Sequence, residues 1–334
     1  MNDTIKNKHA NDSAYLQALI SKGGEVIIPK QNPLTDDNVW LIEHRLVVGS
    51  DTTVILDGAY MIMADGVYEM FFSTEAVLGA DDSPKKNIKI IGKNGATLDG
   101  GNFNGLTERN SGKDGLPHIR NNTPIQLRNT VGFEVSGLKI VEQRYWGMTF
   151  VNCSEGVIRN IEFDANNTAP NQDGIDLRIG CHHILVENIT GVTGDDVIAM
   201  TALSGGLDST LIEDGVCGDI HDITVRNVNA ACAGGHGLIR LLCHDGNKIY
   251  NITVENIIDN SVYTGPLPHA TVRVGDPNYW TIKRATAEDM YNITIRGVRS
   301  SAPGAITVWH DHENFTYEDV ENTRGVILAP MHRS

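Results

Sequence analysis

The chain has 334 residues and a formal net charge of −15, with 34 glycines and only 6 % aromatic residues. A charge of that sign and size argues against nucleic acid or an anionic membrane as the partner. No apolar run approaches the ~20 residues of a membrane span, and the polar start from Met1 to Ala10 lacks the apolar segment of a signal peptide. We therefore expect a cytoplasmic protein, or a secreted one whose leader was removed.

The first predicted element is a helix at about residues 12–23, with Asp12 or Ser13 as its N-cap and Gly23-Gly24 at its end. Residues 25–29 then have the composition of a first β-strand. A helix placed before the first strand of a stack covers the unpaired backbone of that open edge. We predict that this helix is a structural cap.

A short pattern of alternating apolar residues, with a small or amide residue near its end, recurs along the chain. It occupies residues 133–138, 157–161, 184–189, 223–228, 252–257 and 293–298. The alternation and the Val, Ile and Thr content predict strands, and their recurrence predicts a solenoid with loops of variable length. Four asparagines share one place in the pattern, so their amides are predicted to stack as a hydrogen-bonded ladder: Asn160, Asn188, Asn227 and Asn256.

These features predict an all-β fold, a single-stranded parallel β-helix that forms one domain over residues 1–334. A propeller would need regularly spaced Asn-Gly or Asp-Gly hairpin turns, which the sequence lacks. The five cysteines form no Cys-x-x-Cys pair, so we expect buried free thiols. No cofactor and no metal site are predicted.

Four polar clusters, most of them flanked by glycine, accompany short apolar strands in the middle of the chain. They are Asn171-Gln172-Asp173-Gly174, Gly194-Asp195-Asp196, Gly235-His236-Gly237 and Thr271-Val272-Arg273-Val274. If each cluster is the same rung of the solenoid, three aspartates, His236, Arg240 and Arg273 share one column. Crowded carboxyls raise at least one pKa, so such a column would be an active site built by stacking.

Each of these residues also has an ordinary structural interpretation. Asp-Gly turns are common, adjacent aspartates usually form a solvated corner, and lone arginines usually lie on the surface. Their shared order and register favour a site. His182 and His183 have no such support, and we expect them to be structural.

In this order, and about one coil apart, the four clusters resemble the four signature motifs of glycoside hydrolase family 28. That family comprises polygalacturonases and related pectin hydrolases on a right-handed parallel β-helix. Asp12-Ser13-Ala14 and Thr97-Leu98-Asp99-Gly100-Gly101 resemble its early segments, so the resemblance covers nearly the whole chain. It implies a poly- or oligosaccharide containing galacturonate, or a related pectic sugar, as the substrate.

The resemblance also implies inverting hydrolysis by three aspartates. Asp195 would protonate the glycosidic oxygen, while Asp173 and Asp196 would hold and deprotonate the attacking water. His236 would tune the protonation of the acid, and Arg273 would bind a sugar carboxylate. Further candidate substrate-binding residues are Arg240, Asn171, Tyr145 and Trp146, where the aromatic pair offers either a sugar-stacking face or strand packing.

The chain departs from the family pattern at two positions. Gln172 stands where threonine is usual, and Gly275 stands where a lysine is expected two residues after Arg273. The lost lysine predicts a short, local anion site, and therefore a preference for oligosaccharides or mixed polymers with one uronate near the cleaved bond. Insertions near residues 204–217 and 263–269 are predicted to wall the groove.

Two alternatives stay open. A polysaccharide lyase or uronate epimerase on the same fold would need a basic Lys or Arg and often calcium, and the missing lysine weakens that interpretation. A non-catalytic carbohydrate-binding β-helix would not need the three aspartates.

Overall fold

The computed structural model describes residues 3–75, 83–205, 210, 216–263, 270–276, 279, 281–309 and 311–329. Two helices, α1 (Asp3–His9) and α2 (Asp12–Ile20), precede all the strands, and short 3₁₀ turns lie at Ile119–Asn122 and Ala287–Asp289. The strands are β1 (Gly24–Pro29), β2 (Trp40–Ile42), β3 (Leu46–Val47), β4 (Thr52–Asp57), β5 (Tyr60–Met63), β6 (Phe72–Ser73), β7 (Lys85–Lys93), β8 (Thr97–Asp99), β9 (Ile125–Arg128), β10 (Thr130–Ser136), β11 (Lys139–Val141), β12 (Met148–Val151), β13 (Ser154–Asp164), β14 (Ile175–Arg178), β15 (His182–Thr193), β16 (Ile198–Ala202), β17 (Ile220–Cys232), β18 (Ile239–Cys243), β19 (Ile249–Asp259), β20 (Ala270–Val274), β21 (Met290–Ser300), β22 (Gly304–Val308), β23 (Glu313–Asn322) and β24 (Leu328–Ala329).

The strands form two parallel sheets that the chain visits in turn. The first, here called the long sheet, runs β1-β4-β7-β10-β13-β15-β17-β19-β21-β23, with β2, β5, β8 and β11 beside that path. The second, the short sheet, runs in chain order from β3 through β6, β9, β12, β14, β16, β18, β20 and β22 to β24. Each coil therefore stacks on the preceding one in parallel register, which confirms the predicted parallel β-helix.

The repeat comes from the alternating apolar positions, which lie directly above one another in successive coils. Ile184, Ile223, Ile252 and Ile293 pair in sequence along the long sheet. All four are buried in an apolar core that continues from Leu16 to Val308. Burial of such branched side chains is the main stabilising term for the fold, at about 25 cal/mol per Å² of apolar surface.

The predicted asparagine ladder is confirmed at Asn160, Asn188, Asn227 and Asn256. The amide nitrogens of Asn188, Asn227 and Asn256 each donate to the amide oxygen of the asparagine one coil earlier, at 2.9, 3.1 and 3.2 Å. All four backbones are left-handed, with φ between 54° and 57°. Asparagine tolerates that conformation better than most residues, which explains its recurrence at this bend of each coil.

The helix α2 caps the open edge, but it differs from the predicted helix at its start. Asn11 is the N-cap, and no side chain caps the helix. The predicted caps bond to the sheet instead: Asp12 accepts from the Leu41 amide at 2.9 Å, and Ser13 accepts from the Glu43 amide at 3.0 Å. Polar side chains of α2 thus satisfy backbone donors of the exposed edge. The helix α1 was not predicted.

Four of the five free cysteines are buried, as predicted, whereas Cys217 is exposed. Among the described residues, no helix is long and apolar enough to cross a membrane.

Candidate active site

A cavity of about 570 Å³ lies over the middle strands of the short sheet. Its lining includes every predicted catalytic residue, together with most of the predicted substrate-binding residues. The charged side chains that line it are Glu108, Asp173, Asp176, Arg178, Asp195, Asp196, His236, Arg240 and Arg273.

The catalytic candidates come from turns that immediately precede strands of the short sheet. Backbone hydrogen bonds stack these turns: the Gly174 amide donates to the Asp196 carbonyl at 2.9 Å, and the Leu238 amide donates to the Thr271 carbonyl at 3.0 Å. Glycine is required at the crossings. A Cβ at Gly174 would lie 2.4 Å from the Val197 carbonyl oxygen. The polar clusters therefore do occupy successive rungs.

Gln172, the first departure from the family pattern, faces away from the cavity and joins adjacent turns. Its side chain is buried and donates to the Gln143 carbonyl at 2.7 Å, while its own carbonyl accepts from the Gly194 amide at 2.9 Å. Gln143 in turn donates to the Asp173 carbonyl at 3.0 Å. This pairing fixes the backbone beside the aspartates, so Gln172 is a structural residue of the site.

The three predicted catalytic aspartates converge, with a carboxyl oxygen of each within 4.8 Å of the others. Asp173 is buried, and burial together with three neighbouring aspartates raises its pKa well above the usual range. Burial also raises the pKa of Asp195, and the negative charge of Asp196 adds to that rise. Asp195 is the most accessible of the three, with 18 % of its side chain exposed against 1 % for Asp196.

Asp196 is held as an ion pair by Arg273. One guanidinium nitrogen of Arg273 lies 2.5 and 2.6 Å from the two carboxylate oxygens. Arg240, which pairs with Arg273 on the neighbouring strand, lies farther from Asp196, with Nη1 3.8 Å from Asp196 Oδ2. The cluster thus contains one paired carboxylate and two carboxyls of raised pKa.

His236 lies beside the most accessible aspartate, with Nδ1 3.6 Å from Asp195 Oδ1. Its ring is 43 % exposed, so it borders the opening of the cavity. The positive charge of a protonated His236 opposes the rise in the pKa of Asp195. The flanking Gly237 has φ +137°, and a Cβ there would lie 2.3 Å from the Ala270 carbonyl oxygen. The tuning role of His236 stays a prediction.

The prediction of a sugar-stacking face at Tyr145 and Trp146 is not supported by their packing. Tyr145 is 1 % exposed, and its hydroxyl bonds to Glu108 at 2.8 Å. Its ring stacks on Trp146 at 4.4 Å, and the guanidinium of Arg178 lies 3.8 Å from the centroid of the Trp146 ring. Trp146 lines the cavity but is only 6 % exposed, in contact with Tyr145 and Arg178. Asn171 does line the cavity.

The charged and aromatic lining residues that were not predicted are Glu108, Asp176, Arg178 and Tyr279. Asp176 and Arg178 alternate along β14, and Asp176 lies two strands before Arg240 in one column. That spacing was readable in the sequence. Glu108 and Tyr279 come from segments without a repeat, so no pattern indicated them. Tyr279 packs against Arg240, 4.7 Å from ring centroid to guanidinium carbon.

The predicted insertions lie largely outside the described residues, at 206–209, 211–215 and 264–269.

Comparison with known proteins supports the same family resemblance. A model of glycosyl hydrolases family 28 matches residues 33–261. A polygalacturonase of Cryptomeria japonica is 33 % identical over 106 residues, which are 32 % of this chain. This chain spans only 20 % of the length of that relative.

Among solved structures, endo-xylogalacturonan hydrolase from Aspergillus tubingensis superposes with a TM-score of 0.57 at 15 % identity, covering 95 % of this chain and 91 % of that one. The tailspike protein of E. coli bacteriophage HK620, as a double mutant, reaches 0.63 at 12 % identity and covers 96 % and 60 %. At these identities the likenesses bear on the fold, and they confirm a right-handed parallel β-helix.

Proposed function

The chain belongs to glycosyl hydrolases family 28, and from that premise we propose that it hydrolyses glycosidic bonds in a pectic oligo- or polysaccharide that contains galacturonate or a related sugar. The observation that carries the proposal is the convergence of three aspartyl carboxyls within 4.8 Å, one of them paired with Arg273. Such an arrangement supplies both a proton donor and a proton acceptor around one bond.

Asp195 is the proposed general acid. A general acid must be protonated at working pH and must reach the leaving oxygen. Asp195 has a raised pKa and is the accessible member of the cluster. His236 beside it is positioned to assist its reprotonation after the proton is transferred.

Asp196 and Asp173 are proposed to hold the attacking water. Asp196, ion-paired with Arg273, is the proton acceptor, while Asp173, of raised pKa, can donate or accept a hydrogen bond to the same water. Asp173 Oδ1 accepts no hydrogen bond from the described part of the chain, which leaves it available for that contact.

The stereochemical outcome follows from the same groups. Carboxyls are usually roughly 6.5–9.5 Å apart in inverting enzymes and about 5–5.5 Å apart in retaining ones, so the 4.8 Å limit alone favours retention. Retention, however, needs a free ionised nucleophile. Both oxygens of Asp196 accept from Arg273, which weakens this carboxylate as a nucleophile but still allows it to take a proton from water, and Asp173 has a raised pKa. We therefore propose inversion, which the proton NMR spectrum of the first-formed anomer tests directly. Retention of configuration would contradict this proposal.

Arg240 is proposed to bind a carboxylate of the substrate. Arg273 is engaged by Asp196, whereas Arg240 lies 3.8 Å or more from its acidic neighbours Asp196 and Asp276. Arg240 is only 15 % exposed and is supported by Tyr279. A planar guanidinium in that setting suits a carboxylate. Five acidic residues and three arginines line the cavity, so it suits one local uronate better than a long polyanion.

The test is a screen of the purified protein on pectic oligosaccharides, with products identified by mass spectrometry and by absorbance of unsaturated sugars. Hydrolysis predicts saturated products that contain one oxygen from labelled water, and no requirement for calcium. Unsaturated products, or activity lost to a chelator and restored by calcium, would identify a lyase instead. Binding without any product would identify a carbohydrate-binding β-helix.

A further inference from the structure

On the long sheet, three histidines and one aspartate meet where β15 and β17 begin. His182 and His221 are paired in register and stack at 4.9 Å with ring planes 2° apart. His183 and Asp222 each follow one of them in the chain. The group lies after the C-terminal end of the short strand β14, whereas the catalytic aspartate Asp173 lies before that strand.

His183 and Asp222 interrupt a second asparagine column. In later coils the amides of Asn251, Asn292 and Asn314 form this column, and Asn251 donates to Asp222 Oδ1 at 2.9 Å. All of these residues have left-handed backbones, with φ 53° at His183 and 54° at Asp222. Histidine also adopts that conformation, so the bend permits His183, but its ring cannot continue the amide ladder.

The ligand atoms of His183, His221 and Asp222 all lie within 4.8 Å of one another. Asp222 Oδ2 lies 2.7 Å from His221 Nδ1 and 3.7 Å from His183 Nε2. Zinc binds nitrogen and oxygen at about 2.0–2.2 Å in a tetrahedron, which places neighbouring ligand atoms ~3.4 Å apart. The two distances bracket that value.

Each of the three groups also contacts a further residue that fixes its orientation. His183 Nδ1 lies 2.8 Å from His182 Nδ1, so its Nε2 is the nitrogen left for a ligand. Asp222 is oriented by Asn251, and the ring of His221 is stacked between His182 and Tyr250, 4.7 Å from the latter. Imidazoles and carboxylates that bind metals usually have such outer partners, which fix tautomer and orientation.

We propose that His183 Nε2, His221 Nδ1 and the Asp222 carboxylate form a binding site for a divalent transition metal ion of the zinc class. His182 is a positioning residue that acts through His183, and solvent completes the coordination. Two imidazoles and one carboxylate favour such a metal over Ca²⁺ or Mg²⁺, which prefer oxygen ligands. The ion would join two adjacent coils across residues 194–219, and it takes no part in the proposed hydrolysis.

The experiment is calorimetric titration of the full chain, without a histidine tag, with Zn²⁺ at a pH above the ordinary imidazole pKa. We expect one saturable site per chain, unaffected by excess Ca²⁺, and visible absorption bands of tetrahedral Co²⁺ when cobalt is the probe. His183→Asn and Asp222→Asn should weaken binding at least about tenfold. Both introduce the residue that the column uses elsewhere, so the fold is retained.

Two more variants separate positioning from nonspecific binding. His182→Gln should weaken Zn²⁺ binding about 10–100-fold and alter the Co²⁺ spectrum, whereas His44→Ala, at an exposed histidine elsewhere, should change neither. The proposal is overturned if titration shows no saturable Zn²⁺ site, if Ca²⁺ binds equally well, or if His183→Asn binds like the wild type. Because binding is the readout, the result is independent of whether the protein hydrolyses a pectic substrate.

Discussion

At the scale of single residues, the central feature is that three aspartates close together in space have different environments. Asp195 is partly accessible and lies beside His236, whereas Asp196 is paired with Arg273 and Asp173 is buried. Burial and like charges raise the pKa of Asp173 and Asp195, whereas Asp196 forms an ion pair with Arg273. These different environments allow three chemically identical carboxyls to have different roles in the proposed hydrolysis.

Asp195→Asn should lower kcat by about 10²–10⁴-fold or more, because the amide keeps the shape but cannot donate a proton as an acid does. Steady-state kinetics on the best oligosaccharide would measure the loss. Asp311→Asn, at an exposed aspartate, is the matched control and should retain full activity. A folded Asp195→Asn protein with near-normal turnover would exclude Asp195 as the acid.

Asp173→Asn should abolish most activity and yet stabilise the protein at neutral pH. A folded-state pKa raised by burial means that the native state holds its proton more tightly. The free energy of unfolding therefore falls as pH rises from the unfolded pKa, about 3.9, through the raised value. Thermal melts at pH 4 and pH 7.5 should show the variant gaining stability relative to wild type only at the higher pH. An equal difference at both would contradict the raised pKa.

Arg240→Ala and Arg273→Ala should have different effects. Loss of Arg240 should reduce kcat/KM on a uronate-containing oligosaccharide about 10–100-fold, since a charge-assisted hydrogen bond contributes roughly 1.5–3 kcal/mol, and should spare a neutral analogue. Loss of Arg273 should reduce kcat on both substrates, because Asp196 loses its partner. If Arg273→Ala affected only the acidic substrate, Arg273 would be the carboxylate reader that the family resemblance implies.

At the scale of secondary-structure elements, four successive coils are bent by a left-handed asparagine whose side chain also bonds to a neighbouring coil. The asparagine ladder serves both purposes at one position per coil. In the same column Gly297 replaces asparagine, and a Cβ there would lie 2.9 Å from Asn256 Oδ1. The bend is therefore the requirement, and the amide pairing is an addition to it.

Asn227→Ala should destabilise the protein by about 1–3 kcal/mol, from the left-handed backbone and the lost amide bonds together. Asn227→Gly should cost less, because glycine adopts the same φ without strain. Comparing the urea unfolding midpoints of the two variants separates the cost of the left-handed backbone from the cost of the lost amide hydrogen bonds. Equal losses would mean that amide pairing, and not the backbone bend, is what asparagine contributes.

At the scale of the whole molecule, an acidic protein is proposed to act on an acidic sugar. The net charge of −15 repels a long polyanion, while the arginines of the cavity attract one carboxylate at short range. Salt screens the first effect more than the second, since the Debye length is only about 10 Å at 0.1 M. The protein should therefore favour short or mixed substrates over long homogalacturonan at low salt.

Raising the ionic strength from about 0.02 to 0.2 M should lower the KM for a long polygalacturonan severalfold, and should change that for a short mono-uronate oligosaccharide little. Initial rates over a salt series would show it. A KM that rises with salt for the polymer would point to a long basic track, which the lining residues in the described part of the chain do not form.

The sequence by itself determined the coil and the set of candidate acids. Alternating apolar residues, the asparagines and the four ordered clusters are local patterns, and stacking in register follows from burying one face of each strand. The partners within the site came only from the tertiary structure. The pairing of Arg273 with Asp196, the contact of Arg178 with Trp146, and the meeting of His183 with Asp222 each join residues from different coils. Loops of unequal length separate those coils, and only the packed fold sets which side chains meet across them.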